Sequence, residues 1–271
     1  MDIREDKSRS KTKEKSLRNY VSYSEIKIWS ECPQRHKLKY IDGLDDFKGN
    51  LHTAFGSAIH SVCEHGLLDE NLDREKHFLK EFDKELASLE KKEVEIDKTL
   101  REQMMGQYAP IVSSFREELD NYFENCEVIS IEEELYEDIE GLNLKFKGFI
   151  DLVVKTEDGK YHILDWKTCS WGWDSRKKSD KITNYQLTLY KYFWSKKHKV
   201  PLKQIETHFG LLKRTAKKNN VEIFRITSGE KKIKNSLTLL RNAVINIERK
   251  RFIKNKLSCK YCAFYRTKHC T

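Results

Sequence analysis

Residues 142–167 read LNLKFKGFIDLVVKTEDGKYHILDWK, and this stretch decides the predicted fold. Apolar residues alternate on both sides of the Asp158-Gly159 pair, so we expect two antiparallel strands joined by a tight hairpin. The apolar even positions of 142–154 are predicted to share one face of the first strand, which leaves Asp151 on the other face. On the second strand Asp165 and Lys167 are two residues apart and therefore project from the same side.

The predicted hairpin brings Asp151, Asp165 and Lys167 to neighbouring positions on one sheet face. Two adjacent carboxylates repel each other, and a divalent cation with oxygen ligands is the natural partner for both. Mg²⁺ suits this set because it is usually held by only one or two protein carboxylates. An Asp-x-Lys pair alone is more often a solvent-facing ion pair, but its apolar neighbours indicate a half-buried strand and favour a functional site.

The rest of the chain predicts a mixed α/β protein with one sheet flanked by helices. Helices are expected from Ser24 and over 55–68, 72–89, 99–123, 182–197 and 230–251, and two more strands near 206–213 and 221–227. We expect a mobile basic and polar tail over residues 1–20 and a single domain over 21–271. Within that domain we distinguish a helical part (21–126), a core (127–228) and a C-terminal helix with a cysteine-rich cap (229–271).

Composition excludes several classes of protein. The 271 residues are 38% hydrophobic and 35% charged, with only 11 glycines and 3 prolines, which excludes collagen-like and low-complexity chains. No apolar run reaches the roughly 20 residues of a membrane helix, and the charged N-terminus is unlike a secretory signal. We therefore expect a cytoplasmic (intracellular) protein without membrane contact, in which the 7 cysteines are reduced or bind metal.

Charge is distributed unevenly along the chain. The formal net charge is +9, yet residues 117–140 contain eleven acidic residues and no lysine or arginine. Residues 229–271 carry twelve lysines and arginines against two glutamates. A basic face of this size suits a polyanion, most simply nucleic acid, although a solvated lysine-rich surface is an equally good interpretation of charge alone.

Two residue pairs at helical spacing add to the pattern. His60 and Glu64 are four residues apart on the predicted helix 55–68, and Gln186 and Tyr190 are four apart on the helix after the hairpin. Taken singly, His60 is more often a packed helix histidine, and a Gln-x-x-x-Tyr pair is uninformative. Their order and spacing relative to the hairpin aspartates make the set specific.

In this order, His60, the Gly-Phe-Ile-Asp of 148–151, the Asp-Trp-Lys of 165–167 and Gln186-x-x-x-Tyr190 resemble the RecB-like, Cas4-like branch of the PD-(D/E)XK nuclease superfamily. The resemblance covers about residues 21–270 and implies a restriction-endonuclease-like fold. It implies a metal-dependent DNA nuclease, an exonuclease acting on single-stranded ends in replication, recombination or repair. No G-x-x-x-x-G-K-[ST] motif occurs, so unwinding would come from a helicase or recombination partner. The alternative is a non-catalytic DNA-binding or scaffold subunit with the same fold.

The resemblance also implies a metal site. His60, Asp151 and Asp165 would be the ligands of Mg²⁺ or Mn²⁺, with the main-chain carbonyl of Trp166 completing the set. Asp165 stands where the superfamily often has glutamate, and aspartate is also used in the RecB-like branch. Glu64 is a further candidate for a carboxylate near the metal.

The implied catalytic set is Asp151, Asp165, Lys167, Gln186 and Tyr190. Lys167 would orient or deprotonate the attacking water and offset charge on the phosphate. Gln186 and Tyr190 would position the DNA strand near the scissile phosphate. The basic C-terminal third would grip a single strand together with the aromatic side chains of Trp171, Trp173 and Trp194.

Three cysteines near the C-terminus follow the pattern Cys259-x₂-Cys262-x₇-Cys270. Cys-x₂-Cys is a strong metal signal because two thiolates on a tight turn can bind one centre, and both zinc and four-iron clusters take four ligands. Cys32 is the candidate for the fourth ligand. The resemblance implies a [4Fe–4S] cluster on Cys32, Cys259, Cys262 and Cys270, although the last gap is longer than in the family. The alternatives are zinc, His269 in place of Cys270, or unligated thiols, and small apolar fillers are expected at Cys63, Cys126 and Cys169.

Overall fold

The predicted hairpin forms the centre of a mixed sheet in the computed structural model, which describes residues 19–44 and 47–270. Residues 1–18 of the predicted tail lie outside the described residues. The strands are β1 (Tyr20–Ser22), β2 (Glu127–Asp138), β3 (Lys145–Lys155), β4 (Tyr161–Cys169), β5 (Ile205–Lys213) and β6 (Val221–Ile226). The longer helices are α1 (Tyr23–Glu31), α3 (Leu51–Leu68), α4 (Arg74–Lys91), α5 (Lys98–Met105), α6 (Ala109–Tyr122), α8 (Lys181–His198) and α9 (Glu230–Glu248). Short helical turns are α2 (Pro33–His36), Lys37–Ile41, α7 (Ser175–Lys178), Leu202–Gln204 and Lys256–Tyr261.

Strand β3 pairs with one strand along one edge and with two different strands along the other. One edge of β3 pairs with β2 over its whole length, antiparallel. The other edge is shared, because β1 pairs in parallel with residues 145–147 and β4 pairs antiparallel from Leu152 opposite Leu164. Within the described chain, residues 148–151 therefore have no strand partner on that edge, and we call this stretch, where β1 and β4 part, the fork. The sheet continues with β4 parallel to β5 and β5 antiparallel to β6.

Helices cover both faces of the sheet and bury two apolar cores. Helices α3 to α6 pack on one face, where the large buried side chains are Phe55, Phe78, Phe82 and Phe115. Helices α1, α8 and α9 pack on the other, around Phe146, Phe193, Trp194 and Phe209. The predicted α/β class, a mixed sheet flanked by helices, is confirmed.

Side-chain caps fix where several of these helices begin. The Asn50 carboxamide accepts the Thr53 N–H at 3.0 Å, and the Thr53 hydroxyl accepts the Asn50 N–H at 2.9 Å, which forms a capping box at the start of α3. Asp73 and Asp97 cap α4 and α5 in the same position. Such a cap satisfies backbone donors that the first helical turn leaves unpaired.

Several predicted boundaries are wrong. The helix predicted over 99–123 is two helices, since α5 ends at Gly106 and α6 begins anew with Pro110 in its first turn. The first helix is capped by Ser22 rather than Ser24. Neither β1 nor the acidic strand β2 is predicted by the alternation of apolar residues.

The predicted single face of the first hairpin strand is also wrong. Phe146 and Ile150 pack with α8, whereas Leu152 and Val154 pack with α3 to α6. The alternation breaks next to Asp151, where the fork opens. At this level of β2, Glu132 lies between the paired residues Ile131 and Glu133, and its backbone φ is 50°.

The segment after α9 is tied to the end of α1. The Asn255 carboxamide and the Ser258 hydroxyl both donate to the Glu31 carbonyl, at 2.8 and 2.7 Å. The Asn255 N–H lies 3.3 Å from the Cys32 Sγ. These bonds hold together two parts of the chain that are 224 residues apart. Among the described helices, none combines the length and the apolar character that crossing a bilayer requires.

Candidate active site

The fork in the sheet places the first carboxylate of the candidate site. Asp151 lies on β3 where its pairing with β4 ends, and its Oδ2 accepts the N–H of Trp166 at 2.6 Å. The Asp151 side chain thus satisfies a backbone N–H of β4 that has no carbonyl partner on β3, because the two strands part at this point. This bond fixes the orientation of Asp151 relative to the segment that carries Asp165 and Lys167.

The second carboxylate lies among three polar side chains. The Lys167 Nζ is 2.5 Å from the Asp165 Oδ2, as expected for residues on the same side of β4. The Gln186 Nε2, on helix α8, donates to the Asp165 Oδ1 at 2.7 Å and to the Tyr190 hydroxyl at 3.2 Å. The structure therefore brings together four of the residues that the sequence singles out, with Gln186 bridging the strand and the helix.

A glycine leaves room for Tyr190 beside the fork. A Cβ at Gly148 would lie 2.6 Å from the Tyr190 Cε1, which is closer than side chains approach each other. Gly148 therefore allows the ring of Tyr190, on helix α8, to lie directly against strand β3. Tyr190 itself is buried.

Both carboxylates are buried, and this makes their negative charges costly. Burial raises the pKa of Asp151 well above its usual range, and repulsion from Asp165 adds to the effect while Lys167 opposes it. Burial also raises the pKa of Asp165, again against the influence of Lys167. Two buried anions of this kind are stabilised by a cation between them.

His60 faces the same carboxylates from helix α3. Its Nδ1 lies 3.9 Å from the Asp151 Oδ2. Burial lowers the pKa of His60 to about 4, and the nearby Lys167 ammonium contributes to the shift. The imidazole is therefore neutral at pH 7, the form in which histidine binds metals.

The donor chemistry fits Mg²⁺ or Mn²⁺, although the donors are not all close together. Two carboxylates, one neutral imidazole and a nearby main-chain carbonyl form a set of hard and borderline ligands suited to these ions. In the described part of the chain, the donor atoms of His60, Asp151 and Asp165 do not all lie within 4.8 Å of one another. Both oxygens of Asp165 are engaged by Lys167 and Gln186.

Glu64 lies beside a carboxylate that sequence reasoning missed. Burial raises the pKa of Glu64 to about 7, and the charge of Glu132 and a hydrogen bond with it add to the shift. Glu132 also contributes to the raised pKa of Asp151. The sequence offers no signal that separates Glu132 from its acidic neighbours, because its position depends on the irregular backbone of β2.

The four cysteines named from the sequence line one small pocket. Cys32 is buried at the end of α1, and Cys259, Cys262 and Cys270 approach it from the C-terminal segment. Within the described residues, no three of their sulfur atoms lie within 4.8 Å of one another. His269 is exposed. Of the remaining cysteines, Cys63 is buried in the core, and Cys126 and Cys169 are half-buried.

The three tryptophans predicted to grip DNA have different environments. Trp171 is 78% exposed. Trp173 packs against Phe209, with ring centroids 5.1 Å apart. Trp194 is buried and donates its indole N–H to Glu133 at 2.9 Å, so the prediction that it contacts DNA is wrong.

A family model and one solved structure agree with this architecture. A family model described as the PD-(D/E)XK nuclease superfamily matches residues 20–267. A solved structure from Eubacterium rectale, provisionally named an exonuclease, superimposes with a TM-score of 0.58 at 13% identity, over 92% of this chain and 89% of that one. The crystal structure of SSO0001 gives a TM-score of 0.41 at 13% identity, over 91% of this chain and 84% of that one. No curated protein sequence matches.

The Eubacterium rectale protein shares the fold of this chain. The family match spans almost all of the described residues, from β1 to the C-terminal cysteine segment. The chain belongs to the PD-(D/E)XK nuclease superfamily.

Proposed function

We propose that this protein is a metal-dependent DNA nuclease of the RecB-like branch, an exonuclease that hydrolyses phosphodiester bonds at single-stranded ends. The observation that carries the proposal is the fork in β3. There two buried carboxylates, Asp151 and Asp165, lie beside the Lys167 ammonium and the neutral imidazole of His60. In a protein of this superfamily, such a set is suited to phosphodiester hydrolysis.

The residues of the site have distinct proposed roles. His60, Asp151, Asp165 and the carbonyl of Trp166 would hold Mg²⁺ or Mn²⁺, which when bound supplies a water of lowered pKa and neutralises phosphate charge. As an ammonium, Lys167 would orient that water and offset charge on the phosphate, and only with its Nζ deprotonated would it accept the proton of the water. These assignments come from the resemblance to the RecB-like branch, and the chemistry of the donors and their common position beside the fork support them.

Gln186 and Tyr190 are proposed to act from helix α8. Gln186 holds the Asp165 Oδ1, so it fixes the carboxylate that faces Lys167. The hydrogen bond between Gln186 and Tyr190 restrains the amide in turn. Together they would also position the DNA strand near the scissile phosphate.

The proposed substrate is DNA with a free single-stranded end. The chain is basic overall, with a net charge of +9, and residues 229–271 carry twelve lysines and arginines against only two glutamates. The exposed indole of Trp171, two residues after the end of β4, would stack on an unpaired base. Duplex ends would be opened by a helicase or recombination partner.

The four cysteines are proposed to hold a [4Fe–4S] cluster. Four thiolates on one zinc ion, at about 2.3 Å from it, would lie roughly 3.8 Å from each other. No three of the described cysteine sulfurs lie within 4.8 Å of one another, although all four line the same pocket. The preference for a cluster, in which each thiolate binds a different iron, over a single zinc ion comes from the resemblance to the RecB-like branch. Such a cluster would join the end of α1 to the C-terminal segment.

The nuclease proposal is tested by substitutions at the fork. Asp165→Asn and Lys167→Ala should abolish Mg²⁺-dependent cleavage of end-labelled single-stranded DNA and leave DNA affinity within a few-fold. Lys155→Ala, on the same hairpin but away from the fork, is the matched control. Cleavage by both fork variants at the control rate would refute the site. Binding of DNA with no cleavage by the unsubstituted protein would support the alternative, a non-catalytic DNA-binding subunit.

The cluster proposal has its own test. Protein purified without oxygen should contain iron and acid-labile sulfide in equal amounts, and Cys32→Ser should lose both. Cys126→Ser, which changes a half-buried cysteine outside the pocket, should keep them. Stoichiometric zinc without iron in both proteins would show that the site is a zinc centre.

A further inference from the structure

A second group of potential metal ligands lies on the same sheet, outside the candidate active site. In the parallel pair of β4 and β5, His162 is opposite Glu206, and Leu164 is opposite His208. Alternate residues of a strand share a face, so His162, Glu206 and His208 emerge on the same side. This is the side that α3 to α6 cover, because Leu164 belongs to the core beneath those helices.

The two imidazoles already stand at the spacing of metal ligands. The His162 Nδ1 lies 3.1 Å from the His208 Nε2. Two nitrogens bound to a tetrahedral zinc ion at about 2.0–2.1 Å would be roughly 3.3 Å apart. One donor atom from each of His162, Glu206 and His208 lies within 4.8 Å of the others, and in the described part of the chain no other group of His, Cys, Asp or Glu meets this condition. Both histidines are buried.

The outer nitrogen of His162 is held by a hydrogen bond that orients the inner one. The Thr156 hydroxyl donates its one hydrogen to the Asp158 Oδ1 at 2.5 Å, so it accepts from the His162 Nε2 at 3.0 Å. A neutral His162 with its proton on Nε2 has a lone pair on Nδ1, directed at His208. Metal-binding histidines commonly have such an outer partner, which fixes the tautomer.

The outer nitrogen of His208 has a partner that can reverse its role. The Tyr122 hydroxyl lies 3.3 Å from the His208 Nδ1 and can either donate or accept. With a proton on the His208 Nε2, the Tyr122 hydroxyl donates to the His208 Nδ1, and the His208 Nε2 donates to the His162 Nδ1. When that proton is on the His208 Nδ1 instead, the Tyr122 hydroxyl accepts a hydrogen bond from it, and the lone pair of the His208 Nε2 faces the His162 Nδ1. A cation between the rings therefore requires only this change of tautomer.

The charge around the histidines favours a cation. The Glu206 Oε1 forms ion pairs with Arg225 at 3.0 Å and with Lys160 at 3.8 Å. Among the described residues, no hydrogen bond or ion pair engages its Oε2. The three residues line a pocket of about 460 Å³ whose other acidic residues are Glu124, Glu157 and Asp158. The pocket supplies space for a further ligand on the side away from the sheet.

We propose that the His162 Nδ1, the His208 Nε2 and a carboxylate oxygen of Glu206 bind one Zn²⁺ ion, whose fourth position faces this pocket and takes a water. Two imidazoles and one carboxylate with an open position are a recurrent zinc set, whereas Mg²⁺ prefers oxygen ligands alone. The site is separate from the fork, since His162 lies three residues before Asp165 on β4, about 10 Å along the strand, and projects from the opposite face of the sheet. It does not depend on the proposed nuclease function.

The test is a titration of the full chain with Co²⁺, which replaces zinc and reports its coordination by visible absorption. The titrated background carries Asp165→Ala, Cys259→Ser and Cys262→Ser, so that neither the fork nor the cysteine pocket takes the ion. We expect one equivalent to bind with the absorption of a four-coordinate site. His208→Gln and Glu206→Gln should each weaken binding tenfold or more.

The matched control is His77→Gln. His65 and His77 form another imidazole pair, with ring centroids 4.7 Å apart, but it is not part of a three-ligand group within the described residues. Binding should be unchanged in this variant. Glu206→Gln keeps both imidazoles, so a loss of binding there reports a missing ligand rather than a misfolded histidine pair. Absence of Co²⁺ binding in the background protein, or equal binding in the His208→Gln and control variants, would overturn the proposal and leave an ordinary hydrogen-bonded pair.

Discussion

Substitution of Gly148 by alanine should slow catalysis through a chain of contacts that ends at Asp165. The new Cβ would lie 2.6 Å from the Tyr190 Cε1, and ordinary contact begins near 3.4 Å. The ring of Tyr190 must therefore move away by about 0.8 Å, and its hydroxyl, which accepts a hydrogen bond from Gln186, moves with it. Because Gln186 also donates to Asp165, the shift is passed on to that carboxylate. Overpacking of this kind costs about 1–3 kcal/mol of folding free energy. A displacement near 1 Å in a catalytic site costs roughly 100-fold in rate.

The assay is cleavage of end-labelled single-stranded DNA in Mg²⁺, with kcat and KM measured separately, alongside thermal unfolding in chelator. Gly229→Ala is the control, because a Cβ at Gly229 meets nothing within 4 Å. We expect kcat to fall much more than KM rises in the Gly148 variant. Equal kcat values for the two alanine variants would refute the coupling between Tyr190 and Asp165. Equal unfolding temperatures would refute the packing argument as well.

Three further predictions concern stability and DNA binding. Glu133→Gln should lower stability by about 2 kcal/mol, because burial would raise the pKa of Glu133 but hydrogen bonds, the largest from Lys197, lower it to about 2. Because the folded-state pKa of Glu133 is depressed, its ionised carboxylate stabilises the fold fully above pH 4.5, and this stabilisation is lost as the pH falls towards 2. Denaturation of both proteins at several pH values checks this dependence, and a pH-independent difference in stability would contradict the assignment. Phe78→Ala should cost about 3–5 kcal/mol in chemical denaturation, because its fully buried ring stacks on Tyr108 with centroids 4.3 Å apart, and a cost under 1 kcal/mol would show that the core can collapse. Trp171→Ala should weaken single-stranded DNA binding by about 1–3 kcal/mol in fluorescence anisotropy without lowering the unfolding temperature, and an unchanged affinity would exclude stacking there.

The elements that the sequence predicts well are those whose burial is regular. Helices α3, α4 and α8 have apolar residues at helical spacing, β4 and β5 are short and mostly buried runs, and an Asp-Gly turn marks the hairpin. Strand β2 escaped prediction because it lies at the sheet edge with mostly exposed residues and a run of glutamates. The interruption between α5 and α6 depends on Gly106 and Pro110, which lie inside an otherwise helical pattern.

Within the candidate site, the sequence could predict neighbours on one strand and across the hairpin turn, but not contacts between elements that are distant along the chain. Asp165 and Lys167 are two apart on a strand, and their contact follows from that alone. The hydrogen bond from the Trp166 N–H to the Asp151 carboxylate exists only because β3 and β4 part at that point. The approach of Glu132 to Glu64, and the meeting of His162 with His208, depend on pairing between strands and helices that no residue period encodes.

The hydrogen bonds from Asn255 and Ser258 to Glu31 have a consequence for synthesis on the ribosome. Translation releases α1 early, whereas its partners emerge more than two hundred residues later. Until then the nascent chain must carry the last carbonyl of α1 uncovered, so this junction is among the final contacts to form. Truncation just before Asn255 would spare every candidate catalytic residue and still remove both side-chain donors to the last carbonyl of α1.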